Sequence, residues 1–385
     1  MNTSLTSPNT NKQFFNFPIC VYPFLYLGLG WNNFSFCPNC YSMDFGNIKE
    51  TPRDVNIKNI FNHENFVDAR KKYLNGEIPD YCNKCLFFGT PTFPLLQTHF
   101  TNSLIQIEDF NQKQSASENY ISAISSIFRN EIIVDHLPVI SIVACGSSCN
   151  LKCKYCYQRN LDYHPDPYDI LKILDQIHST LLNCHLSGGE PFVCKAGREI
   201  LKRFSDGIYK FNVRIVTNAQ FVDFDLLKHV NLQSVHISAD AASRHVYESI
   251  RQGGNFDNLI NNIKKFIELK KEKPYLKLNA NFTITSDNYH EIPDALKLYE
   301  DLVDYVTFNL VMAEENDPQN IKERSDLYEP LLKNIDIAIA NTNNNITKDK
   351  LNAAKSTIIN KIQEKQQEQQ KIKEKKRKLF SFWKK

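Results

Sequence analysis

From Leu137 onward, short apolar runs alternate with longer stretches in which apolar residues recur every three or four positions. Six of the short runs read as strands: Leu137–Ala144, Leu182–Leu186, Val213–Val216, Ser234–Ile237, Leu276–Ile284 and Val303–Leu310. They are rich in β-branched residues and bounded by Pro, Gly or polar clusters. The stretch Pro167–Leu181 puts Ile170, Leu174, Ile177 and Leu181 on one helical stripe. Strands alternating with amphipathic helices predict βαβ units, hence an α/β fold with a parallel sheet. Six units are fewer than a closed eight-strand barrel needs.

The flanks are patterned differently. Met1–Lys12 is polar and reads as disordered. A helix is expected from about Asn59 to Asn75, with Phe61, Phe66, Ala69, Tyr73 and Leu74 near one face and Gly76 as its stop. Pro91 and Pro94 break the chain, Asn111–Glu118 reads as loop, and Ser122–Phe128 as a short helix. After the sixth strand, Leu327, Leu331, Leu332, Ile335 and Ile339 form a stripe suited to covering an open sheet edge, with a break or restart at Pro330. Asn341–Asn345 is loop-like, and Lys348–Lys378 reads as a long, mostly polar helix, solvated and detached. The expected organisation is an N-terminal cysteine-rich module (1–90), a connector (91–136), the barrel (137–312) and C-terminal helices with a basic tail (313–385).

Composition adds three constraints. The 385 residues suffice for one large or two ordinary domains. The formal charge of +3 hides an asymmetry: Lys371–Lys385 carries eight basic residues and one Glu, a net +7, which leaves −4 for the rest. Basic residues interleaved with Phe380, Phe382 and Trp383 suit an acidic partner, nucleic acid or a membrane surface, although a solvated tail is the plainer reading. Eleven cysteines point to a reducing compartment and metal ligation. The apolar stretch Phe14–Trp31 is broken by Pro18 and Pro23 and lacks a basic leader, so the protein is expected to be cytoplasmic.

The chemistry concentrates at the strand ends. Directly after the first strand, ACGSSCNLKCKYCY (Ala144–Tyr157) places Cys149, Cys153 and Cys156 within eight residues. Thiolates are soft ligands suited to iron–sulfur clusters or zinc, and three at this spacing leave one metal position open. After the second strand comes Ser187-Gly188-Gly189-Glu190-Pro191, where two glycines permit close backbone approach. Thr217 and Asn218 follow the third strand; they are also good turn residues. Ser238 and Asp240 follow the fourth, and Arg251 lies beyond them; Asp240 also suits a helix cap. Asn279 and Asn281 interrupt the fifth strand. His185 and His236 read as satisfied core histidines, and Cys20, Cys145, Cys184 and Cys194 as small buried residues. Two further pairs, Cys37/Cys40 and Cys82/Cys85, offer four thiolates, enough to close one metal site.

The run CNLKCKYCY resembles the cluster loop of the radical S-adenosylmethionine enzymes. The resemblance implies an incomplete (β/α)6 barrel, a [4Fe–4S] cluster held by Cys149, Cys153 and Cys156, and S-adenosylmethionine chelated at the fourth iron. One electron from the cluster then cleaves the cofactor to a 5′-deoxyadenosyl radical that abstracts a hydrogen atom. By the same resemblance Tyr155 packs beside the adenine. Gly188, Gly189, Glu190 and Pro191 match the motif that binds the methionine amino group. Ser238 and Arg251 hold the cofactor's carboxylate and ribose, and Thr217, Asn218 and Asp240 complete the pocket. The N-terminal pattern FCPNC, FGNI, NIFNHENFVDARKKYLNG and YCNKC is similar to SPASM-type auxiliary modules, here ahead of the barrel. That implies one auxiliary [4Fe–4S] cluster on Cys37, Cys40, Cys82 and Cys85, with structural zinc as the alternative. It also implies a peptide or protein substrate and a one-electron donor such as a flavodoxin or ferredoxin. A sugar or nucleotide substrate and a non-catalytic metal-binding scaffold are the competing readings.

Overall fold

A computed structural model describes residues 20–30, 33–38, 48, 54–82, 85 and 100–382. Its centre is an eight-stranded sheet. All six expected strands are present, as β3 (Ile140–Ala144), β5 (Asn183–Ser187), β6 (Asn212–Thr217), β7 (Leu232–Ser238), β9 (Lys277–Ile284) and β10 (Tyr305–Leu310). Each runs parallel to its neighbour, in the order β3-β5-β6-β7-β9-β10. The sheet does not close on itself; it is a partial barrel with the connecting helices outside. The helix Pro167–Ile177 is capped by Asp166, whose side chain accepts from Tyr168 N, and buries Ile170, Ile173, Leu174 and Ile177 against the sheet. Each such side chain contributes about 1.5–3 kcal/mol of burial.

The first two strands come from the segment expected to form a separate module. β1 (Tyr26–Gly30) runs parallel to β3, pairing Tyr26 with Ile140 and Leu29 with Val143, and β2 (Asn33–Ser35) folds back on it. Two glycines disguise β1, since glycine weakens a strand. Here neighbours leave no room for a side chain: a Cβ on Gly28 would meet the Ser35 hydroxyl at 2.1 Å, and one on Gly30 the Ala144 methyl at 2.7 Å. Arg70 ties this segment to the barrel. It is fully buried and donates to the carbonyls of Pro23, Phe61 and Ile132 and to Asn62 Oδ1. The helix expected at Asn59–Asn75 is two, Ile57–Phe61 and Glu64–Leu74, because the His63 side chain caps the second.

The connector is also more ordered than its composition suggests. Phe110–Phe128 is one helix of 19 residues, capped by Asp109 and including the stretch expected as loop. Its polar residues face inward and are used. Gln112 donates to the carbonyls of His178 and Leu181, and Asn119 exchanges hydrogen bonds with Leu137. At the other edge, Tyr328–Asn341 buries Leu331 and Ile335, with Pro330 in its first turn. The following helix, Asn345–Phe382, is not detached in its first half. Leu351, Ala354 and Ile358 are buried, and Thr347 Oγ1 accepts from Val306 N of the edge strand β10. No described helix is long and apolar enough to cross a membrane.

Candidate functional site

A pocket of about 470 Å³ opens at the C-terminal ends of the strands. Cys149, Cys153, Cys156 and Tyr155 line it from the loop after β3, Gly188 and Gly189 from β5, Thr217 and Asn218 from β6, Ser238 from β7, and Arg251 from beyond β7. Ten of the cofactor-pocket and cluster residues expected from sequence thus share one cavity. Glu190, Pro191 and Asp240 do not line it.

The cysteine loop is held from two sides. Its middle forms a strand, β4 (Lys152–Cys153), antiparallel to β8 (Arg251–Gln252), with Cys153 opposite Arg251. Its front is sewn to the glycine pair: Gly189 N donates to Gly146 O at 2.7 Å and Glu190 N to Ser148 O at 2.9 Å. Gly188 sits at φ +123°. A Cβ on Gly189 would lie 2.2 Å from Ser148 O. The glycines are therefore needed first by the chain's own cluster loop, which passes too close for any side chain.

Donors surround the thiols. Leu151 N and Asn218 Nδ2 reach Cys149 Sγ at 3.4 and 3.6 Å, and an Arg251 Nη reaches Cys153 Sγ at 3.7 Å. Burial pushes both thiols up, Cys153 to about 11, with Arg251 pulling the other way. Positive charge brought by a metal would deprotonate them outright. Among the described residues no three His, Cys, Asp or Glu side chains form a cage for a single ion. An iron–sulfur cluster spreads its thiolates over separate irons, so three soft donors around one pocket fit a cluster better than a lone ion.

Asp240 and Glu190 act beneath this surface. Asp240 is fully buried and accepts from Arg251 Nε at 2.5 Å, Thr283 N at 2.6 Å and the Tyr155 hydroxyl. It does not cap the next helix; Ser243 does. Arg251 completes the triangle with a 2.9 Å bond to the Tyr155 hydroxyl, so the tyrosine expected beside the adenine is tethered through its oxygen. Glu190 accepts from Thr217 Oγ1 at 2.8 Å and Asn218 N at 2.7 Å, joining the ends of β5 and β6. Burial raises its carboxyl to about 7. Thr217 and Asn218 are turn residues as well, since Ala219 N and Gln220 N bond back to them across the positive-φ Ala219. Sequence reasoning missed Glu291, whose carboxylate accepts from Ala242 N and the Ser243 hydroxyl and fixes the loop after β7. A buried Glu at a helix start carries no local signal.

Of the N-terminal thiols, Cys37 and Cys82 are buried and Cys85 half-buried; Cys40 lies outside the described residues. Tyr73 OH contacts Cys82 Sγ at 2.7 Å. The Tyr22 phenol is pushed well up by burial and by Cys20, Cys37 and Cys85 around it. Cys20, expected as a small buried residue, is half-buried and acts electrostatically on the same phenol. Cys145, Cys184 and Cys194 are buried as expected.

Residues 143–299 match the Radical SAM superfamily model. A probable GTP 3′,8-cyclase of Methanocaldococcus jannaschii is 28% identical over 167 residues, covering 42% of this chain and 54% of that protein. A GTP 3′,8-cyclase of Limosilactobacillus fermentum is 30% identical over 166 residues, covering 40% and 48%. The chain thus spans about half the length of the curated relatives it matches. Among solved structures, SuiB of Streptococcus suis aligns at TM-score 0.44 and 20% identity over 73% of this chain and 64% of that one. The Radical SAM match thus spans the stretch that holds the cysteine loop and the ends of β3, β5, β6 and β7.

Proposed function

We propose that this protein is a radical enzyme using S-adenosylmethionine, with Cys149, Cys153 and Cys156 as the ligands of its cluster. The observation that supports this most is the convergence of the three thiols, the glycine pair, Asn218, Ser238 and Arg251 on one pocket. When bound, the cluster and S-adenosylmethionine supply a 5′-deoxyadenosyl radical by one-electron cleavage. The chain's own residues do the rest. Gly188 and Gly189 offer backbone to the cofactor's amino-acid end, Ser238 and Arg251 face its polar groups, and Asp240 and Tyr155 hold Arg251 in place. Asn218 and Leu151 N–H orient Cys149. An electron donor such as a flavodoxin or ferredoxin in a reducing, cytoplasmic setting completes the requirement.

The second metal site is proposed at Cys37, Cys40, Cys82 and Cys85, as a [4Fe–4S] cluster or structural zinc. Its likeness to auxiliary modules supports a peptide or protein substrate. A second reading, a nucleotide substrate, is favoured by relatives named GTP 3′,8-cyclase over half their length. Anaerobic reconstitution followed by dithionite and S-adenosylmethionine should release 5′-deoxyadenosine. Stimulation by candidate peptides or by GTP separates the substrate readings. Cys153→Ala should abolish release and lose only the barrel site's iron. Cys82→Ala should lose only the N-terminal metal, and if either folded variant loses both, the two-site division is wrong.

A further inference from the structure

Below the pocket the sheet's inner face is polar. Val216 and Ser238 belong to the pocket lining, and Arg214 and His236 lie one step earlier on the same face of β6 and β7. Two residues of strand separate the layers by about 7 Å. Register places His185 beside Arg214, Arg214 beside Ser234, and His236 beside Asn279. The side chains meet. Arg214 Nε lies 3.3 Å from Ser234 Oγ, and an Nη lies 3.4 Å from His236 Nε2. Asn279 Nδ2 lies 3.1 Å from His236 Nδ1, and the two imidazole rings stack loosely, 6.2 Å apart.

What this layer lacks among the described residues is an acid. The ionisable groups that face Arg214 are the phenols of Tyr22 and Tyr305 and the two histidines. Burial and the guanidinium hold His185 and His236 down to about 3, with Lys350 adding to the effect on His236, so both imidazoles are neutral near pH 7. His185 Nε2 is buried with no partner. A guanidinium carries five N–H donors. The fully buried Arg70 spends its donors on three carbonyls and an amide oxygen, whereas the half-buried Arg214 meets one hydroxyl and one imidazole. A half-buried guanidinium with donors to spare and no carboxylate beside it is open to an anion that arrives from outside.

We infer that Arg214, flanked by His185 and His236, is the seat of an oxyanion carried by the substrate, a carboxylate or a phosphate, at the bottom of the barrel. The planar fork suits either group bidentately. His185 Nε2 and the phenols of Tyr22 and Tyr305 surround it as further polar partners. The substrate's reacting carbon then lies between this anchor and the cluster loop. The inference rests on the proposed reading in one respect, that substrate enters the barrel beneath the cluster.

The test uses the full chain, reconstituted anaerobically, with thermal midpoints followed against inorganic phosphate, acetate, and chloride at matched ionic strength. A saturable rise with phosphate alone assigns a phosphoryl group, and with acetate alone a carboxylate. Arg214→Met should weaken that binding at least tenfold and, without added anion, melt at or above the wild-type temperature. Arg214→Lys should bind with intermediate strength. The inference is overturned if neither anion acts beyond chloride, if Arg214→Met binds undiminished, or if it melts lower or fails to fold, which would make the arginine structural. Release of 5′-deoxyadenosine by the wild type in the same preparation judges the radical reading separately.

Discussion

Two arginines in the barrel live by opposite rules. Arg251, at the rim, is buried against a carboxylate of its own chain, with a tyrosine hydroxyl and a cluster cysteine as further partners. Arg214, in the lumen, is half-buried and meets neutral groups only. The first arrangement already has its counter-charge and therefore holds Arg251 in shape, ready for the cofactor groups it is proposed to face. The second has none and therefore suits a charged group that arrives from outside. Burial alone does not show whether a cation needs a counter-charge from a ligand; its partners do.

The contrast can be broken at the rim with the largest effect. Asp240→Asn leaves Arg251 as an uncompensated buried charge and should cost about 3–5 kcal/mol in chemical denaturation. It should also reduce cluster loading, since β8 pairs with Cys153. A cost under about 1 kcal/mol would mean that Arg251 does not depend on Asp240. Gly189→Ala presses a methyl into Ser148 O and should cost about 1–3 kcal/mol with reduced iron content. No comparable sensitivity is expected in the lumen layer. Ser234→Asp would turn the lumen into a second rim, by placing a carboxylate beside Arg214 Nε. It should raise stability by roughly 0.5–2 kcal/mol, as removal of a functional strain does, while abolishing anion binding.

A further effect concerns pH. Glu190 titrates near 4.5 unfolded and about 7 folded, so the folded state binds its proton more tightly. Its stabilising contribution is full below about pH 4.5 and declines as pH rises to about 7. Denaturation midpoints between those values should flatten in Glu190→Gln, and an unchanged slope would show that Glu190 does not control it.

Much of the rim was legible because it is written locally. Three cysteines, a glycine pair and polar residues after each apolar run announce themselves in a few positions, and the six barrel strands carry strong β-branched runs. What sequence hid was cooperative. β1 was not read as a strand because Gly28 and Gly30 answer to neighbours that only the fold supplies. The helix Phe110–Phe128 looked like linker because its buried residues include the polar Gln112, Asn119 and Ser126, and the partners of the first two are distant in sequence. The roles of Asp240 and Glu190 shifted from ligand contact to support, since a carboxylate's partners are unknown until strands are ordered. His185 and His236 read as ordinary core residues, and only the register that seats Arg214 between them made one of them an orphan.

The pairing of β1 with β3 sets a timetable for synthesis. Tyr26–Gly30 must wait until Ile140–Ala144 has been made, more than a hundred residues later. At about 5–20 residues per second this is a delay on the order of ten seconds. During it Leu25, Leu27 and Leu29 have no sheet to join, and the thiol of Cys37 stands open to solvent and to whatever delivers metal. The nascent chain is thus most exposed to aggregation and oxidation at its front while the barrel is still being written, and an anaerobic, chaperone-rich host should yield more intact protein than an aerobic one.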